Sequence, residues 1–353
     1  MRQFRTFIVG TLLAVAASVL AGCKKDPPTA TGAPPAEVRL GYFPNVTHAQ
    51  AVLGVSSGEF QQAIGSAKLS TRTFNAGPSL IEALFANEID IGYVGPSPVL
   101  NGFAKSKGRG LRVVAGAAAN GVLVVARKDS GIKKLEDLKG RKVATPQRGN
   151  TQDVSAQHYL KYKLNADVSN VLPIANAEQA GMMSRGQIDA SWAVEPWGSF
   201  LVSEAGGEVI GHEKDLWPEG KFVLTVVITT PEFLQKHPDV VEKVLGVHRN
   251  WTARLQADAQ AHLPALGAAL FDITKKKLPE GVLASALKNV EFTDEPLESS
   301  FVTFDQWSRD LGFTKQTTDL KNLVDPTILR RLQQGGATKP ATRPAGAASE
   351  GAQ

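Results

Sequence analysis

Three short stretches carry the residue types from which an anion site is built. Phe43-Pro-Asn-Val-Thr-His48, Val94-Gly-Pro-Ser-Pro98 and Thr145-Pro-Gln-Arg-Gly-Asn-Thr151 each close a strand-like run with turn formers and a polar residue. An expected helix follows each of them. First-turn amides and a capping hydroxyl both donate hydrogen bonds, and the helix dipole favours negative charge at that end. Ser97 before Pro98 predicts a helix start, with serine as the cap and proline at the first helical position. Gly95 has no Cβ, so another group can come close to its backbone. The chemistry expected is capture of a small oxyanion by neutral donors. Arg148 either pairs with that anion or stands in solvent. Any one of these turns, taken alone, also serves as a plain strand-to-helix connection.

The elements around them repeat in a regular order. Strands are expected at Val38 to Phe43, Leu69 to Phe74, Ile89 to Val94 and Leu111 to Ala115, each separated from the next by a helix. Thr47-His-Ala-Gln50 and Ser79-Leu-Ile-Glu82 read as capping boxes. A second series follows, with strands at Lys142 to Thr145, Val171 to Ile174 and Ala190 to Val194. Its helices are expected at Ile132 to Lys139, at about Thr151 to Lys163 and around Ala177 to Ser184. Two long apolar β runs, Val122 to Arg127 and Phe222 to Thr229, bracket this series, and helices dominate after Pro231. Alternation of strand and helix predicts mostly parallel sheets flanked by helices. The chain thus predicts two lobes, with residues 37–121 and 230–334 in the first and 122–229 in the second. Because the second series interrupts the first, both crossings between lobes are strands, and the three turns can face one cleft.

The ends stand apart from this pattern. Met1 to Arg5 carries two arginines, Phe7 to Gly22 is apolar or small, and Leu20-Ala-Gly-Cys23 closes the run, which reads as a secretory leader over residues 1–22 with a lipid-acceptor cysteine. Residues 23–36 (CKKDPPTATGAPPA) and 335–353 (GGATKPATRPAGAASEGAQ) have the composition of a flexible tether and a disordered tail. Six basic and two acidic residues at these ends account for four of the five formal positive charges. The near-neutral remainder has no basic stripe, which argues against a nucleic-acid partner.

Enzymatic signatures are missing from the sequence. It has no His-Glu-x-x-His, phosphate loop or dinucleotide fingerprint. Gly54-Val-Ser-Ser-Gly58 matches the nucleophile-elbow string but falls late in the first expected helix rather than between a strand and a helix. Cys23 is the only cysteine, so no disulfide and no cysteine cluster for a metal or redox centre is available. No enzyme activity, metal or cofactor is expected.

Gly41-Tyr-Phe-Pro-Asn-Val-Thr-His-Ala-Gln50, Asp90-Ile-Gly-Tyr-Val-Gly-Pro-Ser-Pro98 and Ala193-Val-Glu-Pro-Trp197, in this order behind a lipid-acceptor cysteine, resemble the periplasmic substrate-binding proteins of ABC importers for aliphatic sulfonates, taurine and nitrate. The motifs cover roughly Val38 to Pro238. The resemblance implies an α/β fold of the two-lobed periplasmic binding protein class (type II), each lobe a mostly parallel sheet flanked by helices, joined by two crossing strands that act as a hinge. It implies ligand contacts from Phe43, Asn45, His48, Ser97 and Asn120 in the first lobe and from Asn150, Thr151, Glu195 and Trp197 in the second, with Arg148 beside them. Glu195 would suit an amine on the ligand, or else simply end its strand. His48 would contact ligand or pack at its helix start. The implied partners are a small anionic solute, an ABC permease and ATPase, and a membrane reached through lipid on Cys23. The implied location is the periplasmic or extracellular face of the cell membrane, and a monomer is expected. Nitrate, another small solute of the pyrimidine or riboflavin kind, and service to a membrane sensor are the alternatives.

Overall fold

A computed structural model describes residues 35–315 and 319–335. Cys23, the leader and nearly all of the tether and tail lie outside the described residues. Among the described residues, eleven strands form two sheets. β1 (Glu37–Tyr42), β2 (Lys68–Thr73), β3 (Ile91–Val94), β4 (Arg112–Asn120), β10 (Val223–Thr229) and β11 (Val290–Phe292) make a six-stranded sheet in the order β11-β4-β10-β3-β1-β2. β5 (Val122–Arg127), β6 (Val143–Thr145), β7 (Val171–Pro173), β8 (Ala190–Val194) and β9 (Gly207–His212) make a second, in the order β7-β6-β8-β5-β9.

Parallel pairing joins β1 to β2 and β3, and β6 to β7 and β8. β10 is antiparallel to both its neighbours, β3 and β4, and β5 is antiparallel to both of its own, β8 and β9. Each of the two long apolar runs is therefore an interior strand that runs against both its neighbours. Both are buried almost throughout, which explains their unbroken apolar character. The expected boundary needs one change: the run ending at Thr229 was assigned to the second lobe, yet β10 lies inside the first sheet. A run apolar on both faces fits either sheet, and only its pairing decides.

Two smaller differences have local causes. The helix expected over Ile132 to Lys139 is a single 3₁₀ turn, Leu135–Leu138. The Asp137 carboxylate accepts from the amides of Lys133 and Lys134 at 2.9 and 3.2 Å, and Gly140 then turns the chain at φ +75°. The expected helix from Thr151 to Lys163 is α-helical over Thr151–His158 and continues as a π turn over Tyr159–Lys163. The edge strands β9 and β11 are not anticipated, because Gly, Glu and His interrupt the apolar pattern of β9 and β11 has only three residues.

The first crossing between sheets is made at Asn120–Gly121, both with positive φ, +63° and +77°. Asn120 is tied to the second crossing: its amide donates to Phe222 O at 3.1 Å, and its side-chain oxygen accepts from the Phe222 amide at 3.4 Å. Asparagine and glycine are the residues that tolerate this left-handed conformation. A Cβ on Gly121 would also stand 2.8 Å from Val290 Cγ2 and 3.3 Å from Thr47 Cγ2. Gly121→Ala is therefore expected to lower stability by about 1–2 kcal/mol from conformation alone, with crowding added. Urea unfolding measures this, and an unchanged midpoint would contradict the strained crossing.

Candidate functional site

The carboxyl ends of β1, β3, β6 and β8 converge on the space between the sheets. Phe43, Asn45, Thr47 and His48 after β1, Gly95 after β3, and Asn150, Thr151 and Gln152 beyond β6 line one narrow cleft. Its free volume is only about 20 Å³, close to the room one water needs. The cleft opens into a wider chamber of about 170 Å³ that shares Asn45, Asn75 and Asn176 with it and is also lined by Phe74, Glu178 and Trp197. No charged side chain lines the narrow part.

Three hydroxyls at the ends of these turns bond nothing. Thr47 Oγ1, Ser97 Oγ and Thr151 Oγ1 are buried without a hydrogen-bond partner, as is Asn176 Oδ1. The sequence predicts capping roles for Thr47 and Ser97, and neither is used that way. The helix after β3 begins at Pro96 with Gly95 as its cap residue, so Ser97 is its second residue. Prolines 96 and 98 remove their own amides, which leaves the Ser97 amide and hydroxyl as the donors of that first turn. Ser97 is fully buried behind Gly95. Leaving such a group unpaired costs about 1–3 kcal/mol each, so a cluster of three marks a place built for something else. Gly95 serves the close approach expected of it, since a Cβ there would collide with Thr151 Oγ1 from the facing lobe.

The loop that presents Thr151 is pinned from below. Asp153, buried one turn into the helix, accepts from Thr145 Oγ1 at 3.0 Å, from the Gly149 amide at 2.8 Å and from Gln157 Nε2 at 2.8 Å. Its carboxylate is thus taken up by donors of its own loop and helix, and the Asn150 side chain donates to Gln152 Oε1 at 2.9 Å. His48 stacks on Phe43 at 4.4 Å between centroids, and its Nδ1 accepts from the Phe43 amide at 3.3 Å. The ring proton then resides on Nε2. Burial pushes the imidazole down to about 3, so His48 is neutral in the folded protein.

Other expected contacts have different places. Trp197 lines the wider chamber, and its Nε1 donates to Asn45 Oδ1 at 2.9 Å across the lobes. Glu195 is fully buried, with its carboxylate occupied by the Ser199 amide and hydroxyl and by Asn289 Nδ2, at 2.9, 2.8 and 2.7 Å. Burial raises its pKa. It caps its own helix and links it to the first lobe, which leaves it outside the cleft lining. Asn120 belongs to the crossing described above. Arg148 is exposed and lies over the Phe313 ring at 5.7 Å. Lys276 of the first lobe lies over Phe200 of the second at 4.2 Å, a further contact between lobes.

Sequence reasoning overlooked Asn75, Asn176, Val194, Leu224 and Thr225 in the lining. Asn75 and Asn176 follow β2 and β7, so the strand-end rule that found the others applies to them too. Leu224 and Thr225 sit at the start of β10, which reaches the cleft with its first residues because it runs backwards in its sheet.

The family model described as NMT1-like matches residues 31–270. A protein of Bacillus subtilis (strain 168) named for binding aliphatic sulfonates is 27% identical over 325 residues, covering 89% of this chain and 93% of its own. The alkanesulfonate-binding protein SsuA from Xanthomonas axonopodis pv. citri, solved bound to MOPS, superposes with a TM-score of 0.66 at 23% identity over 84% of this chain and 98% of its own. The periplasmic nitrate-binding protein NrtA from Synechocystis PCC 6803 superposes with a TM-score of 0.72 at 12% identity, covering 85% and 89% of the two chains. The two superpositions bear on the fold, which is that of two-lobed periplasmic binding proteins.

The neutral state of His48 can be tested through stability. An unfolded chain binds the imidazole proton below about 6.5, the folded one only below about 3. Between these values the unfolded state holds more protons, so acidification favours unfolding. The stability of the native protein relative to His48→Gln should therefore fall by about 2 kcal/mol between pH 7 and pH 5, at about 1.4 kcal/mol per unit below 6.5. Urea unfolding at the two pH values gives the difference, and a pH-independent gap would mean that His48 titrates in the folded protein as it does in the unfolded chain.

Proposed function

The chain belongs to the NMT1-like family, and on that premise we propose that it is the solute-binding component of an ABC importer, taking a small organic oxyanion, foremost an aliphatic sulfonate. The observation that carries this reading is a set of unpartnered buried hydroxyls: Thr47 and Thr151 line a cleft without charge, and Ser97 lies fully buried behind Gly95 of that lining. A sulfonate head accepts hydrogen bonds and donates none, so it satisfies hydroxyls and first-turn amides from both lobes together. The wider chamber beside Trp197 supports an organic tail on that head. The name of the Bacillus subtilis relative points the same way.

Nitrate is the second reading, favoured by the small volume of the narrow part and by the likeness to NrtA. Nitrate has no tail for the wider chamber. Anion bound between the lobes would draw them together about the Asn120–Phe222 crossing, and Asn45–Trp197, Glu195–Asn289 and Lys276–Phe200 are the contacts that hold the closed form. We assign Cys23 as the lipid acceptor that tethers a monomeric protein to the outer face of the cell membrane, where a permease and ATPase would receive the solute. Service to a membrane sensor would use the same cleft and tether, and loss of uptake on deleting the gene separates the two. The reading involves no catalysis.

Thr151→Ala tests the cleft. A hydrogen bond to a charged group is worth about 1.5–3 kcal/mol, so sulfonate affinity by calorimetry should drop about tenfold to a hundredfold. Because Thr151 Oγ1 bonds nothing in the protein, the melting temperature without ligand should hold. Unchanged affinity for sulfonates would sink the anion reading. In a competition series of sulfate, nitrate, taurine and alkanesulfonates, tighter binding of nitrate than of every sulfonate would move the assignment to nitrate. For the anchor, Cys23→Ser should abolish lipid labelling and release a soluble precursor, and persistent labelling would refute it.

A further inference from the structure

A second cavity of about 430 Å³ lies away from the cleft, between the second lobe and the helix Glu298–Asp310 of the first. Its size falls in the range of small-molecule sites, about 300–1,000 Å³. Tyr159, Trp192, Trp217 and Trp307 line it. Their rings form two pairs, with centroids 5.8 Å apart for Tyr159 and Trp192 and 4.8 Å for Trp217 and Trp307. His158 stacks on Trp307 at 4.5 Å and 17°. The π turn Tyr159–Lys163 supplies part of the wall, a helix distortion that recurs at functional sites.

Glu213 is also in this lining and is 1% exposed. Its carboxylate accepts from Ser155 Oγ at 2.6 Å, Trp192 Nε1 at 2.6 Å and Trp217 Nε1 at 3.3 Å. All three are neutral donors, so the negative charge has hydrogen bonds but no counter-ion among its partners. Burial accordingly pushes the acid up to about 7 against those three bonds. Lys163 and Glu136, one of each sign, also line the cavity and are exposed. Indole and phenol faces carry negative potential as well. A buried carboxylate held only by neutral donors, in a wall that also presents four aromatic rings, calls for positive charge on a poorly hydrated group, which a quaternary or arylalkyl ammonium supplies and a metal ion does not.

We propose that this aromatic chamber is a second binding site, separate from the inter-lobe cleft, for a small organic cation whose ammonium group sits among Tyr159, Trp192, Trp217 and Trp307 with Glu213 as its counter-charge. None of these residues lines the oxyanion cleft. The two sites are nevertheless joined by one element, since Thr151 starts the helix that carries Ser155 and ends at His158.

The test uses benzyltrimethylammonium as probe and neopentylbenzene, its neutral isostere, as control, read by tryptophan fluorescence and calorimetry on the full chain. Saturable binding of the cation, at least about tenfold tighter than the isostere, is expected. Trp307→Ala and, independently, Glu213→Gln should each weaken it about tenfold or more while sulfonate affinity stays as in the native protein. Should Glu213→Gln fail to fold, Trp307→Ala and the isostere comparison decide alone. Equal binding of cation and isostere, no saturable signal, or a response that survives Trp307→Ala would each overturn the proposal. Loss of sulfonate binding in Thr151→Ala with cation binding retained is expected as well, so failure at one site is distinguishable from failure at the other.

Discussion

The pairing of Asn120 with Phe222 is the constraint on which the rest depends. It ties the two points where the chain crosses between sheets, through a backbone bond and a side-chain bond on the same residue. With the crossings fixed together, β5 and β10 must enter opposite sheets from the same edge, and each runs against its neighbours. The strands that run with the majority then direct their carboxyl ends at the gap. Loops from both lobes meet there because the crossing permits no other arrangement. A side chain expected to touch ligand serves instead to hold the frame in which ligand contacts are possible.

Unsatisfied polarity is the second organising theme. The lobes hide hydroxyls at Thr47, Ser97 and Thr151 and give them no protein partner. Three buried carboxylates of the same fold are, by contrast, fully partnered. Asp153 has three donors, and Glu195 and Glu213 have three each. The contrast locates the cleft better than shape does, since the narrow part has almost no free volume.

Much of this was legible in the sequence. Nearly every strand in the β-α series was found to within a few residues, and so were the turns at Phe43 to His48, Val94 to Pro98 and Thr145 to Thr151, because turn chemistry and apolar period are local properties. The lobe that receives β10 was not legible, because pairing is a property of two distant segments. Glu195 and Arg148 show a similar limit. Their charge suggested ligand contact, whereas Ser199 and Asn289 claim one and Phe313 underlies the other. The reading of Ser97 as a cap fails for a subtler reason: Gly95 and Pro96 form the helix start by themselves, so the serine sits two positions further in and keeps its hydroxyl. Asn75 and Asn176 were within reach of the same rule that found Asn45.

The absence of charge from the narrow cleft has a bearing on where such a protein can work. Coulombic attraction between exposed groups fades beyond a Debye length, about 8 Å at physiological ionic strength and shorter in brine. Enclosed dipoles aimed at an anion from a few ångströms away feel almost none of this screening. A binder of this kind gives up long-range steering and the fast encounter it brings. In return its grip on ligand is set by the cleft itself, and it holds nearly constant as the salinity outside the cell rises and falls.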